Sequence, residues 1–310
     1  ITALNATSGA EVWSTHLEVP NRYDRMSFGS GLAYDSGRIF AHSGFNFFVA
    51  IDAETGAEIW RTETLVPFHG APTVADGRIF VTSDDNELLA LDAETGSVLW
   101  TYQGIVETAR LLTGPSPAVL GDIVVAPFAS GELVALRVQN GNPVWSDSLT
   151  RAGGLNALSA INDVAGSPVI MDGTVYAMSH SGTLAAIELR TGERLWTQPA
   201  GGLHAPWVAG DFLYLVTSEA ELVCLNRHSG VVPTAARTAS PGPDLFWLAA
   251  AFSSPPVAAK QRWSMPMTAK SSANIRSAAR SLWHQSLPMR PFMWLPMTRV
   301  CSRFDRPKNK

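Results

Sequence analysis

The stretch Ala90-Leu91-Asp92-Ala93-Glu94-Thr95-Gly96-Ser97-Val98-Leu99-Trp100 is one of five copies of a single motif. The other copies end at Trp13, Trp60, Trp145 and Trp196. Their turn glycines, Gly9, Gly56, Gly96, Gly141 and Gly192, lie 47, 40, 45 and 51 residues apart, and Gly230 follows after another 38. Self-similarity at a period of this size is typical of propellers and solenoids, so the repeat decides the fold.

Each repeat has the composition of four short strands. In the clearest one, residues 71–74, 78–82, 87–92 and 97–100 are rich in β-branched, aromatic and alternating apolar residues. Turn residues such as Asp76-Gly77 and Thr95-Gly96 separate them. We find no helical period in residues 14–230. The pattern predicts an all-β protein, a propeller of four-stranded antiparallel blades, with about five blades recognisable.

The invariant positions of the motif have structural explanations. A tight turn after Asp-x-x-Thr requires a residue at positive φ, which glycine adopts without steric strain. A tryptophan on an outer strand can bury a large flat surface against the neighbouring blade. We therefore predict structural, not catalytic, roles for Gly9, Gly56, Gly96, Gly141, Gly192 and the five tryptophans of the motif.

The motif stops after Gly230, where Thr234 stands in place of the next tryptophan. Residues 1–230 carry 11 Lys and Arg against 25 Asp and Glu, whereas residues 231–310 carry 12 against 2. This shift divides the chain into propeller repeats, 1–230, and an atypical basic tail, 231–310. The tail could be disordered, a small helical domain, or the remaining propeller translated in a shifted reading frame. We favour the frameshift, because the break falls inside a motif.

Composition excludes several other classes of protein. The overall charge of −4 argues against a nucleic-acid binder. Two distant cysteines, Cys224 and Cys301, form neither a disulfide framework nor a metal cluster. No run of 18 apolar residues is present. The chain opens inside a repeat, so we expect the native N-terminus and its targeting signal to lie upstream.

The copy Ala50-Ile51-Asp52-Ala53-Glu54-Thr55-Gly56-Ala57-Glu58-Ile59-Trp60 resembles the tryptophan-docking motif of propellers of the pyrroloquinoline-quinone (PQQ) type. That eight-bladed superfamily includes quinoprotein dehydrogenases and the BamB family of the outer-membrane β-barrel assembly (BAM) machinery. Residues 158–177, with the segment Asn162-Asp163-Val164-Ala165-Gly166-Ser167-Pro168-Val169, are similar to the BamB branch, and the resemblance covers residues 1–230. It implies a non-enzymatic lipoprotein at the periplasmic face of the outer membrane. Such a scaffold docks the POTRA domains of BamA, with unfolded outer-membrane proteins as further candidate partners.

Two loops are longer than the repeat requires, residues 104–114 and residues 150–165, and extra loop length usually marks the working face of a repeat protein. The BamB resemblance implies that the first loop contacts the partner through Arg110, Leu111, Leu112 and Thr113. It implies that the second loop contacts it through Asn162 and Asp163. Ala165 stands where many members carry a second acid, so the predicted acidic contact is reduced. The alternative is that both loops are ordinary variable loops.

The chemistry of a PQQ enzyme is missing from the sequence. Such an enzyme requires a calcium site of carboxylate and amide oxygens with a general-base Asp, and its alcohol-oxidising members carry adjacent cysteines. No Cys-Cys pair occurs, and Asp84, Asp85 and Asp163 are predicted to be solvated turn residues. Ser179-His180-Ser181 is predicted to be a hairpin tip, not part of a triad. We expect no catalytic residue, cofactor or metal. The alternatives are a fragment of a PQQ-dependent dehydrogenase or a periplasmic propeller that binds ligands or peptides.

Overall fold

The computed structural model describes residues 1–17, 31–42, 46–68, 70–107, 111, 113–150 and 162–232, and the backbone of 237–238. Two compact units divide the chain, Ile1–Leu17 with Pro256–Lys310, and Glu18–Pro255. In the first unit, β1 (Thr2–Leu4) and β2 (Glu11–Ser14) form an antiparallel hairpin with Trp13 opposite Ala3. The Asn5–Gly9 turn closes this hairpin, with Gly9 at φ 70°.

The second unit contains five four-stranded antiparallel sheets in sequence order. The first sheet contains β3 (Gly31–Asp35), β4 (Arg38–His42), β5 (Phe47–Asp52) and β6 (Glu58–Glu63). The second contains β7 (Thr73–Ala75), β8 (Arg78–Thr82), β9 (Glu87–Asp92) and β10 (Val98–Gln103). The third contains β11 (Ala118–Leu120), β12 (Ile123–Pro127), β13 (Glu132–Arg137) and β14 (Pro143–Ser148). The last two are β15 (Val169–Met171), β16 (Thr174–Met178), β17 (Leu184–Glu188) and β18 (Arg194–Gln198); and β19 (Trp207–Ala209), β20 (Phe212–Val216), β21 (Leu222–Asn226) and β22 (Arg237–Thr238).

These sheets confirm the predicted all-β class and the four-stranded blade. The fifth sheet takes its outer strand, β22, from beyond Gly230, where Thr238 pairs with Leu222 and Arg237 with Val223. The four-stranded pattern therefore continues for a few residues into the segment that the sequence separates as a tail.

The two middle strands of each sheet bury both faces. On β9, Leu89 and Leu91 pack into a cluster with the preceding sheet, whereas Leu88 and Ala90 pack into a cluster with the following one. Successive side chains of a strand point to opposite faces, so a run of apolar residues supplies both clusters at once. Four such clusters fill the four junctions between consecutive sheets.

Four tryptophans of the motif connect each sheet to the next by a hydrogen bond. The Nε1 of Trp60, Trp100, Trp145 and Trp196 donates to the carbonyl of Ala93, Val138, Leu189 and Arg227, at 3.3, 3.0, 2.7 and 2.9 Å. The turn glycine of the next sheet lies directly against each ring: a Cβ on Gly96 would lie 2.5 Å from Trp60 Cε3. Gly96 also has φ 74°, so glycine is required there both for its conformation and for the space it leaves.

An aspartate closes the motif turn from inside. Asp52 Oδ1 accepts hydrogen bonds from the Thr55 amide and hydroxyl, each at 2.8 Å, and Asp92 repeats the arrangement with Thr95. The Thr55 hydroxyl and then its amide hold the pKa of Asp52 below its usual range. The Thr95 amide and then its hydroxyl lower the pKa of Asp92 in the same way. The turn therefore favours the ionised carboxylate.

This preference predicts an acid-dependent loss of stability. A carboxylate whose pKa is depressed in the folded state stabilises the fold above its unfolded value, here 3.8, and that contribution disappears as the pH falls through the folded pKa. Asn5 and Asn226 hold equivalent turns with amide oxygens, so asparagine is compatible with this geometry. We expect the double variant Asp52→Asn/Asp92→Asn to lose less of its melting temperature than the wild type between about pH 6 and pH 3. An unchanged pH dependence in thermal denaturation would contradict this.

Candidate partner-binding surface

The two long loops lie at the same end of the sheets. We call residues 104–117, between β10 and β11, the Leu111 loop, and residues 149–168, between β14 and β15, the Asp163 loop. Each connects the outer strand of one sheet to the inner strand of the next. Of the six predicted contact residues, Leu111, Thr113, Asn162 and Asp163 are described, whereas Arg110 and Leu112 lie outside the described residues.

Asp163 joins the two loops. Its side chain is only 3% exposed, and its Oδ2 accepts a short hydrogen bond from the Leu111 amide. The prediction of a solvated turn residue is therefore wrong for Asp163. The reason is tertiary, because the donor lies 52 residues away on the preceding loop, and a buried carboxylate must be hydrogen-bonded. The structure thus brings Leu111 and Asp163 together and makes Asp163 an internal connector.

The backbone around Asp163 is held from both sides. The Val164 amide donates to the Phe128 carbonyl at 3.2 Å, and the His180 amide donates to the Asp163 carbonyl at 2.8 Å. Gly131 allows close approach, since a Cβ at that position would lie 2.9 Å from the Asn162 carbonyl oxygen. These contacts come from two neighbouring sheets, so the end of the Asp163 loop is part of the rigid framework.

Ser179 anchors the start of the same loop. Its hydroxyl is fully buried and donates to the Leu149 carbonyl at 2.8 Å. The segment Ser179-His180-Ser181 forms the tip between β16 and β17, as predicted, and supports the loop through its main chain and through Ser179. This explains Ser179 without a nucleophilic role.

The start of the Leu111 loop is fixed by two side chains that sequence reasoning missed. Asn86 is buried; its Nδ2 donates to the Ile105 carbonyl at 2.6 Å and its Oδ1 accepts from the Ala129 amide at 3.1 Å. Glu132 Oε2 accepts from the Ile105 amide at 3.3 Å. The only sequence signal for this role was the position of Asn86 at the end of an Asp-Asp-Asn turn. In the structure its φ is 57°.

A pocket is lined by residues of both loops and of the neighbouring strands and turns: Gly70, Thr82, Ser83, Asp84, Asn86, Leu111, Thr113, Gly114, Pro115, Pro127, Ala129, Asp163 and Val164. The described residues contain no group of three or more His, Cys, Asp or Glu that could hold a metal ion. They also contain no helix long and apolar enough to cross a membrane. The arrangement is suited to presenting a surface.

Removing the Asp163 carboxylate should loosen the connection between the loops. We expect Asp163→Ala to lower the free energy of unfolding by about 1–3 kcal/mol, because the Leu111 amide loses a buried, charged acceptor. Asp163→Asn keeps an acceptor oxygen and should lower the free energy of unfolding by less. Urea denaturation followed by circular dichroism measures both. Equal losses in the two variants would show that the hydrogen bond to Leu111 is not what matters.

Comparison with known proteins identifies the repeat. The family model described as outer membrane protein assembly factor BamB matches residues 1–233. The chain belongs to the BamB family. BamB of Salmonella typhimurium is 34% identical over 234 residues, which is 74% of this chain and 60% of the relative. BamB of Escherichia coli is 32% identical over the same span and coverage. The chain thus spans 60% of the length of these relatives.

Solved structures agree on the fold. The crystal structure of BamB from Moraxella catarrhalis matches with a TM-score of 0.66 at 22% identity, covering 75% of this chain and 68% of that one. A europium-containing methanol dehydrogenase matches with a TM-score of 0.56 at 17% identity, covering 66% and 50%. At these identities the likeness concerns architecture alone, and it confirms the propeller. The named relatives are BamB assembly factors, in agreement with the BamB branch of the resemblance.

Proposed function

We propose that this BamB-family chain is a non-enzymatic scaffold of the outer-membrane β-barrel assembly complex at the periplasmic face of the outer membrane. In this role it docks the POTRA domains of a BamA-type subunit and assists the assembly and insertion of outer-membrane proteins. Unfolded outer-membrane proteins are a second candidate partner. Membrane attachment would come through a lipid anchor.

The observation that carries this proposal is the junction between the two long loops. The Leu111 amide is bonded to the buried Asp163 carboxylate, so one described residue of each loop is held directly against the other. A surface that is ordered before binding loses less conformational entropy when the partner docks. Leu111 is half-buried at this junction, and its apolar side chain can contribute buried area to a contact.

Family membership supports the assembly role over the enzymatic alternative. The matching family model is that of an assembly factor, and the likeness to a methanol dehydrogenase at 17% identity reflects the shared propeller. The carboxylates of the motif turns, such as Asp52 and Asp92, are occupied in closing those turns. We therefore assign them a structural role in place of a ligand-binding one.

Co-purification tests the proposal. The full chain is expressed with an affinity tag and mixed with purified POTRA domains of the BamA-type subunit from the same organism. We expect a stable complex on size-exclusion chromatography. Dye reduction after addition of PQQ and calcium is measured in parallel. Absence of a complex together with dye reduction would replace the scaffold proposal with the dehydrogenase alternative.

A further inference from the structure

Two adjacent apolar side chains stand exposed at the start of the Leu111 loop. Ile105 is 58% exposed and Val106 is 65% exposed, directly after β10. Single exposed apolar residues are common on protein surfaces and do not by themselves indicate a binding site. This pair differs because the Ile105 backbone is held in place by hydrogen bonds to two neighbouring sheets.

The backbone carbonyl and the backbone amide of Ile105 both form hydrogen bonds with side chains. Its carbonyl accepts from Asn86 Nδ2 at 2.6 Å, and its amide donates to Glu132 Oε2 at 3.3 Å. The preceding Gly104 amide donates to the Asn86 carbonyl at 2.8 Å, and Gln103 Nε2 donates to the Asp85 carbonyl at 2.8 Å. Two neighbouring sheets thus hold the Ile105–Val106 pair outward, although burying it in the core would remove apolar surface from water.

Four carboxylates lie at the same end of the sheets as the pair, and that of Glu132 accepts from the Ile105 amide. Asp85 and Glu107 are exposed, and Glu87 and Glu132 are half-buried, on the same end of the sheets. Within the described part of the chain none of these four forms an ion pair, and no described Lys or Arg neighbours them in the loops at this end.

Other carboxylates in the same propeller unit have arginine partners. Asp122 pairs with Arg137, and Asp172 pairs with Arg227. Among the described residues, the surroundings of Ile105 and Val106 are therefore apolar at the centre and negative at the edge, which favours a cationic partner.

We propose that Ile105 and Val106, at the start of the Leu111 loop, form a second docking point for a partner segment that carries an apolar side chain flanked by Lys or Arg. This inference rests on the proposed scaffold function and names the chemistry of the partner segment. The apolar pair supplies the contact area, and the carboxylates select the sign of the neighbouring charge.

The test compares two pairs of exposed apolar residues, one near each end of β10. Ile105→Ser/Val106→Ser removes the proposed contact, while Val98→Ser/Leu99→Ser changes two exposed apolar residues, 48% and 44% exposed, at the opposite end of β10. A third variant, Asp85→Lys/Glu107→Lys, reverses the charge of the edge. Binding to the purified POTRA domains is titrated by calorimetry at low and high salt. Circular dichroism and thermal melting confirm that each variant is folded.

We expect the Ile105 and Val106 variant to bind at least about tenfold more weakly and the Val98 and Leu99 variant to bind as the wild type does. The charge-reversed variant should bind more weakly at low salt and lose most of its salt dependence. Wild-type affinity of the Ile105 and Val106 variant, or tighter binding by the charge-reversed one, overturns this inference alone. Failure of the wild-type chain to bind overturns the scaffold function and this inference together.

Discussion

Trp145→Ala is expected to lower the free energy of unfolding by about 3–5 kcal/mol. Trp145 is 9% exposed and belongs to the apolar cluster between the third and fourth sheets, with Leu133, Val175 and Ile187. Its Nε1 donates to the Leu189 carbonyl at 2.7 Å, so truncation leaves both a cavity and a buried acceptor without its donor. Urea denaturation followed by circular dichroism measures the loss.

Trp207 offers a matched control for that substitution. It lies on the inner strand β19 and is 39% exposed, so Trp207→Ala removes a side chain of the same size with less buried surface. We expect its loss to be clearly smaller than that of Trp145→Ala. Equal losses would mean that docking onto the next sheet is not what makes Trp145 important.

Gly192 tests the same contact from the other side. A Cβ at Gly192 would lie 2.6 Å from Trp145 Cγ, and its φ is 76°. Gly192→Ala should therefore destabilise through both a clash and backbone strain. In the Trp145→Ala background the close contacts with Cγ and Cδ2 disappear, whereas the contact with Cβ at 2.8 Å and the backbone strain remain. The two single losses should therefore add up to more than the loss of the double variant. Strict additivity would contradict direct packing of Gly192 on Trp145.

The second large effect concerns partner binding. Leu111→Asp combined with Leu112→Asp is expected to abolish co-purification with POTRA domains, a loss of more than about 2 kcal/mol, or roughly 30-fold, in affinity. Leu111 is half-buried at the loop junction, and its amide is bonded to Asp163. A carboxylate at position 111 would add a negative charge next to an existing one and remove the apolar contact.

A gentler variant separates binding from folding. Leu111→Ala keeps the amide bond to Asp163 while removing most of the apolar surface, so it should weaken binding with little change in melting temperature. Leu203→Asp introduces the same charge at an exposed leucine on the loop between β18 and β19 and serves as the control. Undiminished binding by both Leu111 variants would place the docking surface elsewhere.

Much of the fold could be predicted because the decisive signals are local. The Asp92 to Thr95 turn, the positive φ of Gly96 and the alternation of Leu88 to Leu91 depend on residues close together in sequence. The tryptophan contacts follow from repetition, since each unit must bind the next in the same way. Family membership then followed from the same motif.

The candidate surface could be predicted only in part. The positions of its two loops were correct, yet Asp163 was expected in solvent and is buried. The only sequence signal for Asn86 was its position in a turn, and Glu132 gave none, because their partners, Ile105 and Ala129, lie in other loops or sheets. Polar side chains in turns look alike in sequence whether they face water or a neighbouring loop.

The sequence by itself thus determined the repeating unit, its four strands, the glycine and tryptophan positions and the family. These features rest on backbone conformation and on periodic burial, which neighbouring residues encode. Only the tertiary structure decided that the Leu111 amide meets the Asp163 carboxylate, 52 residues away, and that Ile105 is held outward. Such contacts depend on how successive sheets place their loops side by side, and no local pattern specifies that distance.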